Sequence, residues 1–231
     1  MDKITAIIAA AGKGQRMNRG INKQFIILKG KPVLMHTLEV FDNHPLVEKI
    51  VIVTGKDEIK FCQENILKRF NFQKRIKVVA GGKERQDSVY NGLQEVNESG
   101  LVIIHDGARP FLTKDMISSL SVSAKKYGAA IIGVPVKDTV KIVDEEQFVQ
   151  GTPDRRTLWL IQTPQCFKRE VILKAHEVAK SEGFYGTDDA SLVERIGIKV
   201  KILTGSYENI KITTPEDLII GENILKGRNQ V

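Results

Sequence analysis

Cysteine is scarce in this chain of 231 residues, and its scarcity excludes a whole class of fold. Cys62 and Cys166 are its two cysteines, and they lack the CxxC spacing of zinc and redox sites. A disulfide scaffold is therefore excluded, and this low cysteine content fits a reducing compartment. Since a chain of this length buries roughly 70% of its unfolded surface, we expect it to fold without crosslinks or a structural metal.

Long hydrophobic runs are also missing from the sequence. None approaches the roughly 18 apolar residues that a membrane-spanning helix requires, so we expect no membrane partner. The apolar segment Ile4–Ala10 comes shortly after Asp2 and leads into a glycine-rich loop rather than a signal-peptide cleavage site. We therefore interpret this segment as a β-strand and expect a cytoplasmic protein.

Aromatic residues make up only 6% of the chain, whereas its formal net charge is +7. Such an excess of positive charge favours an anionic partner. Proteins that bind nucleic acids usually concentrate basic residues on one stripe with interleaved aromatics, but here the basic residues are spread along the whole chain. We therefore expect a nucleotide or a small phosphorylated metabolite as the partner, and no nucleic acid.

Strand-like and helix-like segments alternate over the first 135 residues, which predicts an α/β fold with a mostly parallel central sheet. The expected strands are Ile4–Ala10, Ile50–Thr54, Ile76–Ala80, Leu101–Ile104 and Ala129–Val134, and the expected helices are Pro32–Phe41, Asp57–Phe70, Asp87–Val96 and Lys114–Tyr127. Ligands of such sheets bind at the carboxyl ends of the strands. The residues that follow each strand are therefore the candidates for function.

The pattern changes at Val136. Two short alternating segments, 136–143 and 148–149, surround the acidic turn 144–146 and predict a β-hairpin. Because an isolated hairpin cannot bury both of its faces, we expect a single domain over 1–231 with an arm at about 136–156 that packs on a second copy. Beyond the arm we expect helices at Arg169–Glu182 and Asp189–Arg195, strands at Lys199–Leu203 and Asn209–Ile212, and a last helix opened by Pro215.

The loop after the first expected strand is rich in small residues. It is neither a Walker A loop nor a dinucleotide fingerprint, because its glycines lack the required spacing. Alanine and glycine allow backbone N–H groups to approach a phosphate chain, which makes this loop a candidate phosphate site. The residues concerned are Ala10, Ala11, Gly12 and Gly14, with positive charge from Lys13, Arg16 and Lys23. The alternative is a tight turn with solvated lysines.

The loop after the fourth expected strand, HDGARP at 105–110, carries an aspartate and an arginine. Asp106 is well placed to hold Mg²⁺, which prefers oxygen ligands and takes few of them from protein. Arg109 has the planar fork that binds a phosphate through two hydrogen bonds. The alternative is an internal pair of Asp106 and Arg109 that fixes the loop, and we interpret His105 as structural.

Three further segments contain polar residues that a structural role would explain equally well. Asp87 and Ser88 lie where they could cap the next helix, although the glycines before them also permit close approach of a ligand. Asp188 and Asp189 invite a metal, but carboxylates at the start of a helix need none. The segment 208–217 is, by itself, explained equally well as a helix cap or a turn.

Taken together, these segments resemble one family. AAGKGQRM at 10–17, GGKERQDSV at 81–89, HDGARPF at 105–111, TPQ at 163–165, TDD at 187–189 and ENIKITTPEDL at 208–218 occur in one order along nearly the whole chain. They are similar to the motifs of the bacterial 2-C-methyl-D-erythritol 4-phosphate cytidylyltransferases of isoprenoid biosynthesis. The resemblance implies a Rossmann-like nucleotidyltransferase fold with a projecting β-arm, a homodimer, CTP and a sugar-alcohol phosphate as substrates, and Mg²⁺ as cofactor.

The resemblance also implies a role for each candidate residue. Arg16 and Lys23 would stabilise the transition state, and Asp106 would hold the metal. The nucleotide would be bound by Ala10, Ala11, Gly12, Gly14, Gly82, Asp87, Ser88 and Asp106. The acceptor would be bound by Arg109, Thr139, Arg155, Thr163, Thr187 and Lys211, with Thr139 and Arg155 reaching it from the partner subunit.

Two alternatives compete with this function. Ribitol-5-phosphate cytidylyltransferases share most of the motifs, but they tend to have HDAVRP and lack the arginine before LW, whereas this chain has HDGARP and Arg155 followed by Arg156. The second alternative is a nucleotide-binding protein without turnover. The combination of Arg16, Lys23, Asp106 and Lys211 argues against it, because binding alone would not need all four.

Overall fold

The computed structural model describes residues 3–12, 22–97 and 99–228. Its strands are β1 (Ile4–Ala10), β2 (Ile27–Leu28), β3 (Lys31–Pro32), β4 (Val47–Thr54), β5 (Arg75–Ala80), β6 (Leu101–Asp106), β7 (Ala129–Pro135), β8 (Ile142–Val143), β9 (Val149–Gly151), β10 (Trp159–Lys168) and β11 (Lys201–Thr204). Its α-helices are α1 (Val33–Asp42), α2 (Ile59–Cys62), α3 (Arg85–Leu93), α4 (Lys114–Tyr127), α5 (Arg169–Ser181), α6 (Asp189–Arg195) and α7 (Pro215–Arg228).

A seven-stranded sheet in the order β11-β7-β10-β6-β1-β4-β5 forms the centre of the protein. All of its pairings are parallel except those of β10, which runs antiparallel to both β6 and β7. The predicted α/β fold with a mostly parallel sheet is therefore confirmed. Parallel strands bring their carboxyl ends to one edge, so the loops after β1, β5 and β6 meet there.

The strands are continuous apolar runs because both faces of the sheet are covered. In β1, Ile4, Ala6 and Ile8 pack into one hydrophobic core, while Ile7 packs into a second core on the opposite face. Successive side chains of a strand alternate between faces, and a strand buried on both sides therefore shows no polar alternation. The site loops thus extend from a rigid, fully buried scaffold.

Two expected elements are wrong in their extent or type. The helix expected over 57–70 is broken, because a 3₁₀ turn at Lys56–Glu58 precedes the short α2 and a π-helical turn at Gln63–Leu67 follows it. The strand expected over 209–212 is a loop: its backbone is tied by the Asn209 N–H to the Ser206 carbonyl and by the Ile212 N–H to the Ala108 carbonyl. It crosses the end of the sheet instead of joining it.

Strand β10 was not anticipated from the sequence. Proline within a run argues against a central strand, and Pro164 lies inside β10. The strand accommodates it because the register with β7 shifts between Gln162 and Gln165, so Thr163 and Pro164 form an irregularity in the ladder. This irregularity places Thr163 beside the end of β6, where its hydroxyl meets the Asp106 N–H.

The hairpin expected after residue 135 is present, with β8 and β9 as its paired strands. Asp144 closes its turn, accepting hydrogen bonds from the N–H groups of Glu146 and Phe148. Its apolar side chains are largely exposed, with Phe148 at 65%. Among the described residues, no helix has the length and hydropathy to cross a bilayer. The cytoplasmic location stays a prediction.

Candidate active site

A cavity of about 390 Å³ opens at the carboxyl edge of the sheet, between the loops after β1, β5 and β6. It is lined by Ala9, Ala10, Ala11, Gly12, Lys23, Gln24, Gly82, Lys83, Glu84, Arg85, Ser88, Asp106, Ala108 and Lys211. Most of the nucleotide-binding candidates and both Lys23 and Lys211 therefore meet around one space. Gly14 and Arg16 lie outside the described residues.

Lys23 is positioned by a buried network under the first loop. It begins a single 3₁₀ turn whose next residue, Gln24, donates a hydrogen bond of 2.6 Å to the Ala10 carbonyl. The carboxylate of Glu58 accepts hydrogen bonds from Gln24, from the amide of Asn22 and from the Thr54 hydroxyl. The turn is thereby fixed to the ends of β1 and β4, which directs Lys23 toward the cavity.

The loop after β5 is shaped by its glycines and by the start of α3. A methyl group on Gly82 would lie 2.3 Å from the Cβ of Asp87, so only glycine fits there. Ser88 accepts a hydrogen bond of 3.0 Å from the Gly82 N–H, and its hydroxyl lines the cavity. Asp87 accepts from the Glu84 N–H and does not line the cavity. For Asp87 the structure supports the capping interpretation, and its role toward the nucleotide stays a prediction.

Asp106 ends β6 and is 7% exposed at the wall of the cavity. Its Oδ2 lies 2.7 Å from the Lys211 Nζ, and its Oδ1 lies 3.3 Å from the Arg85 Nε. Burial alone would raise the pKa of Asp106, but Arg85 and Lys211 outweigh it and hold the pKa well below its usual range. Asp106 is therefore an ionised carboxylate clamped between two cations.

Arg85 is the site residue that sequence reasoning missed. Its Nη1 lies 2.8 Å from the Asp189 Oδ2, so one guanidinium bridges two carboxylates, those of Asp106 and Asp189. Burial opposes the charge of Arg85, but Asp189 and Asp106 together raise its pKa. A signal existed, because Arg85 is the first residue of α3 and the positive end of a helix dipole disfavours a cation unless anions compensate it.

Arg109 is not among the residues that line the cavity. Its Nη1 donates a hydrogen bond of 2.5 Å to the Asn209 carbonyl, which ties the loop after β6 to the loop carrying Lys211. Burial is the largest influence on its pKa and lowers it. Within the described part of the chain, the buried Nε has no hydrogen-bond partner. The predicted contact of Arg109 with a phosphate stays a prediction. Instead of the expected pair with Arg109, Asp106 forms ion pairs with Arg85 and Lys211.

The remaining acceptor candidates are not brought to the cavity. Thr163 is buried, its hydroxyl accepts a hydrogen bond of 3.1 Å from the Asp106 N–H, and it thereby fixes the end of β6. Thr187 is exposed just before α6. Thr139 and Arg155 are exposed on the arm, where Arg155 donates to the Lys137 carbonyl. Of the six acceptor candidates, Lys211 alone lines the cavity, and the roles of the other five stay predictions.

A magnesium ion fits this arrangement only if the protein and the substrate phosphates coordinate it together. Among the described residues there is no group of three or more His, Cys, Asp or Glu side chains that could enclose a metal. Mg²⁺ is often held by one or two carboxylates together with substrate phosphates. Asp106 is ionised and lines the cavity, so it suits the role of that single protein ligand.

Known proteins resemble this chain over nearly its full length. The family model described as 2-C-methyl-D-erythritol 4-phosphate cytidylyltransferase matches residues 4–227. The enzyme of that name from Caldanaerobacter subterraneus is 51% identical over 224 residues, covering 96% of this chain and 99% of the relative. The one from Geobacter metallireducens is 50% identical over 229 residues, covering 97% and 98%.

Solved structures agree with these relatives. The crystal structure of 4-diphosphocytidyl-2C-methyl-D-erythritol synthase from Anaerococcus prevotii superposes with a TM-score of 0.86 at 34% identity, covering 97% of this chain and 96% of the other. The 2-C-methyl-D-erythritol 4-phosphate cytidylyltransferase of Thermus thermophilus gives a TM-score of 0.79 at 27% identity, covering 97% and 99%. With its cavity, its motifs and these matches, the chain belongs to the 2-C-methyl-D-erythritol 4-phosphate cytidylyltransferase family.

Proposed function

We propose that this chain transfers the cytidylyl group of CTP to 2-C-methyl-D-erythritol 4-phosphate, giving 4-diphosphocytidyl-2-C-methyl-D-erythritol and pyrophosphate. The observation that carries the proposal is the cationic cavity at the carboxyl edge of the sheet, where Lys23, Lys211 and Asp106 line one space beside the glycine-rich loops. Family membership supplies the identity of the two substrates.

The reaction needs no general base. An oxygen of the acceptor's phosphate monoester attacks the α-phosphorus of CTP, a new P–O bond forms, and the bond from the α-phosphorus to the bridging oxygen breaks as pyrophosphate leaves. The second pKa of a phosphate monoester is about 6, so the nucleophile is already ionised at pH 7. What the protein must supply is positioning of two polyanions and stabilisation of the charge that develops.

The residues around the cavity suit those two tasks. Backbone N–H groups of Ala11 and Gly12 would meet the phosphates of CTP, and the base and ribose would lie near Gly82 and Ser88. Lys23 would stabilise the transferred phosphoryl group, a role that we also assign to Arg16. Asp106 would hold Mg²⁺, which when bound would neutralise charge on the phosphates.

The acceptor end of the site would be completed by a second copy of the chain. The arm bears apolar side chains that a single chain leaves exposed, and Thr139 and Arg155 stand on the same arm. Packing of the arm against a partner would bury that surface and carry Thr139 and Arg155 toward the partner's Lys211. Thr163, Thr187 and Arg109 would border the same acceptor pocket. We therefore propose a homodimer in which each site draws on both subunits.

Pyrophosphate release tests the proposal directly. CTP and Mg²⁺ are incubated with the protein, with 2-C-methyl-D-erythritol 4-phosphate, with ribitol 5-phosphate, or without an acceptor. Among these mixtures, we expect pyrophosphate release only with 2-C-methyl-D-erythritol 4-phosphate, accompanied by 4-diphosphocytidyl-2-C-methyl-D-erythritol in equal amount. Faster release with ribitol 5-phosphate would assign the chain to the other substrate. CTP binding without release in any mixture would identify a nucleotide-binding protein without turnover.

A further inference from the structure

A line of charged and polar groups runs from the cavity into the protein interior. It starts at Asp106, passes through Arg85 to Asp189, and ends at His176, whose Nε2 lies 3.4 Å from the Asp189 Oδ1. Asp189 and His176 are each 1% exposed. Neither lines the cavity, so neither can touch a ligand bound there.

Helix capping does not explain the carboxylate of Asp189. The preceding residue, Asp188, caps α6 by accepting a hydrogen bond of 2.9 Å from the Ser191 N–H. The Asp189 side chain instead points at Arg85 and His176. Burying a carboxylate costs free energy unless well-placed partners compensate it, so a helix start alone would not favour an aspartate at this position.

The geometry of Arg85 shows what Asp189 does. Arg85 donates a hydrogen bond from Nε to Asp106 and forms an ion pair through Nη1 with Asp189, so its guanidinium is shared between two carboxylates. A guanidinium prefers to meet one carboxylate with two parallel hydrogen bonds. Without Asp189, the Arg85 guanidinium could form two hydrogen bonds with Asp106, or it could move into the cavity that Arg85 lines. Either movement would change the surface that meets the nucleotide.

His176 lies against Asp189 on the other side, at 3.4 Å between Nε2 and Oδ1. Its ring stacks on Tyr90 of α3, with 6.2 Å between the ring centroids, and its Nε2 faces the Asp189 carboxylate. Two helices therefore hold the aspartate, α5 through His176 and α6 through its own backbone. We propose that Asp189 is a positioning residue for nucleotide binding, acting on Asp106 through Arg85, and that His176 holds Asp189 in place for this role.

The inference rests on the proposed function, and a double-mutant cycle tests it through nucleotide affinity as well as turnover. Asp189→Asn, Arg85→Gln and the double variant are compared with the wild type by calorimetric titration with CTP and by steady-state kinetics. We expect Asp189→Asn to weaken CTP binding on the order of 10- to 100-fold, the range typical of side chains that orient a metal ligand, the role proposed for Asp106. KM for the acceptor should change less than about twofold.

The cycle separates positioning from general stability. If Asp189 acts through Arg85, then Asp189→Asn should add less than about twofold in the Arg85→Gln background, since the two effects are coupled. Asp42→Asn is the matched control: Asp42 is another buried aspartate, accepts hydrogen bonds from the Gln73 and Lys74 N–H groups, and lies away from the cavity. It should leave CTP affinity unchanged.

A second variant covers the case in which Asp189→Asn fails to fold. His176→Phe keeps the stacked ring and removes the nitrogen, and it should weaken CTP binding in the same direction and by less. Unchanged CTP affinity in both variants, additive losses in the cycle, or an equal loss in Asp42→Asn would each overturn the positioning role. A wild type that binds CTP but never releases pyrophosphate would instead refute the proposed function, and the binding cycle would still decide this inference.

Discussion

The sheet edge and the arm differ in how far each is complete within one chain. At the sheet edge, charged side chains already meet partners, and Asp106 contacts Lys211 and Arg85 before any ligand arrives. On the arm, every titratable side chain between 136 and 156 is exposed, and so are Ile142 and Phe148. One region is held in place by its own interior, whereas the other leaves apolar side chains exposed in a single chain.

This difference separates two physical sources of order. The sheet edge stands on strands buried on both faces, and its ion pairs are partly shielded from water, which strengthens them. The arm is a two-stranded hairpin, and such hairpins are marginally stable in water by themselves. Each Å² of apolar surface removed from water contributes roughly 25 cal/mol, so covering the arm would stabilise both it and the assembly. We therefore expect the arm to depend on the dimer and the sheet edge to fold without it.

Removing the arm gives the largest expected effect. A variant without residues 137–150 should be monomeric and lose nearly all activity, because Arg155 and Thr139 would no longer reach a partner's site. Sedimentation velocity gives the mass, and pyrophosphate release gives the activity. CTP affinity should survive, since the cavity belongs to one chain.

A point substitution sharpens the same test. Phe148→Asp should also give monomers, whereas Val122→Asp, at a 72% exposed apolar position on α4, should leave both mass and activity unchanged. A fully active monomer from either arm variant would contradict a site shared between subunits.

Lys23→Ala tests the sheet edge, the region whose charged side chains are held in place within one chain. We expect kcat to fall by about two orders of magnitude or more, the usual scale for losing one electrostatic contact in a transition state. The fold should persist, since Gln24 and Glu58 still hold the turn. Steady-state kinetics and circular dichroism measure the two quantities.

Lys60→Ala is the matched control, because Lys60 is an exposed lysine on the short α2. Its kcat should equal that of the wild type. An ordinary kcat in Lys23→Ala would remove Lys23 from the catalytic role, and the same measurement on Arg16→Ala examines the residue that lies outside the described part of the chain.

Sequence reasoning was most successful where a residue's role follows from its neighbours along the chain. The buried strands, the loops after them and the hairpin all follow from local patterns, and the loops duly supply Gly12, Gly82 and Asp106 to one cavity. Strand β10 was missed because Pro164 disfavours a strand locally, whereas in the fold the register with β7 shifts around Pro164 and the pairing with β6 begins only at Gln165.

The partners of Asp106 show the limit of such reasoning. Its nearest arginine along the chain is Arg109, yet the guanidinium in contact belongs to Arg85, and Arg109 instead binds the Asn209 carbonyl. Which cation meets a carboxylate depends on how α3 and α6 pack on the sheet. Asp189 and His176 are separated from Arg85 by about a hundred residues, so no spacing rule could have joined them.

A smaller effect is expected where the nucleotide would approach the first loop. In the part of the chain that the structure describes, no atom beyond the chain neighbours lies within 4 Å of the position that a methyl group would occupy on Gly12, so Gly12→Ala should leave the stability unchanged. If CTP phosphates come close there, the methyl group should displace a hydrogen bond and raise KM for CTP roughly fivefold, about 1 kcal/mol.

Gly82→Ala is the contrasting variant, since its methyl group would collide with Asp87 and should lower the melting temperature as well. A Gly12→Ala enzyme with the wild-type KM for CTP would show that the nucleotide does not approach this glycine closely.

The smallest effect concerns the stability of the domain body in acid. His44 is buried, its Nδ1 accepts a hydrogen bond from the Leu46 N–H, and its Nε2 lies 3.0 Å from the Ser118 hydroxyl. Burial lowers the pKa of His44 below 6.5. Well above pH 6.5 the ring is neutral in the folded and in the unfolded protein. As the pH falls, the unfolded chain takes up the proton at a higher pH than the folded protein does. The free energy of unfolding should therefore fall as the pH drops below 6.5. His44→Gln cannot take up this proton, and urea unfolding at pH 7.5, 6.5 and 5.5 should show a flatter dependence than in the wild type. An identical fall in both proteins would assign the acid sensitivity to other groups.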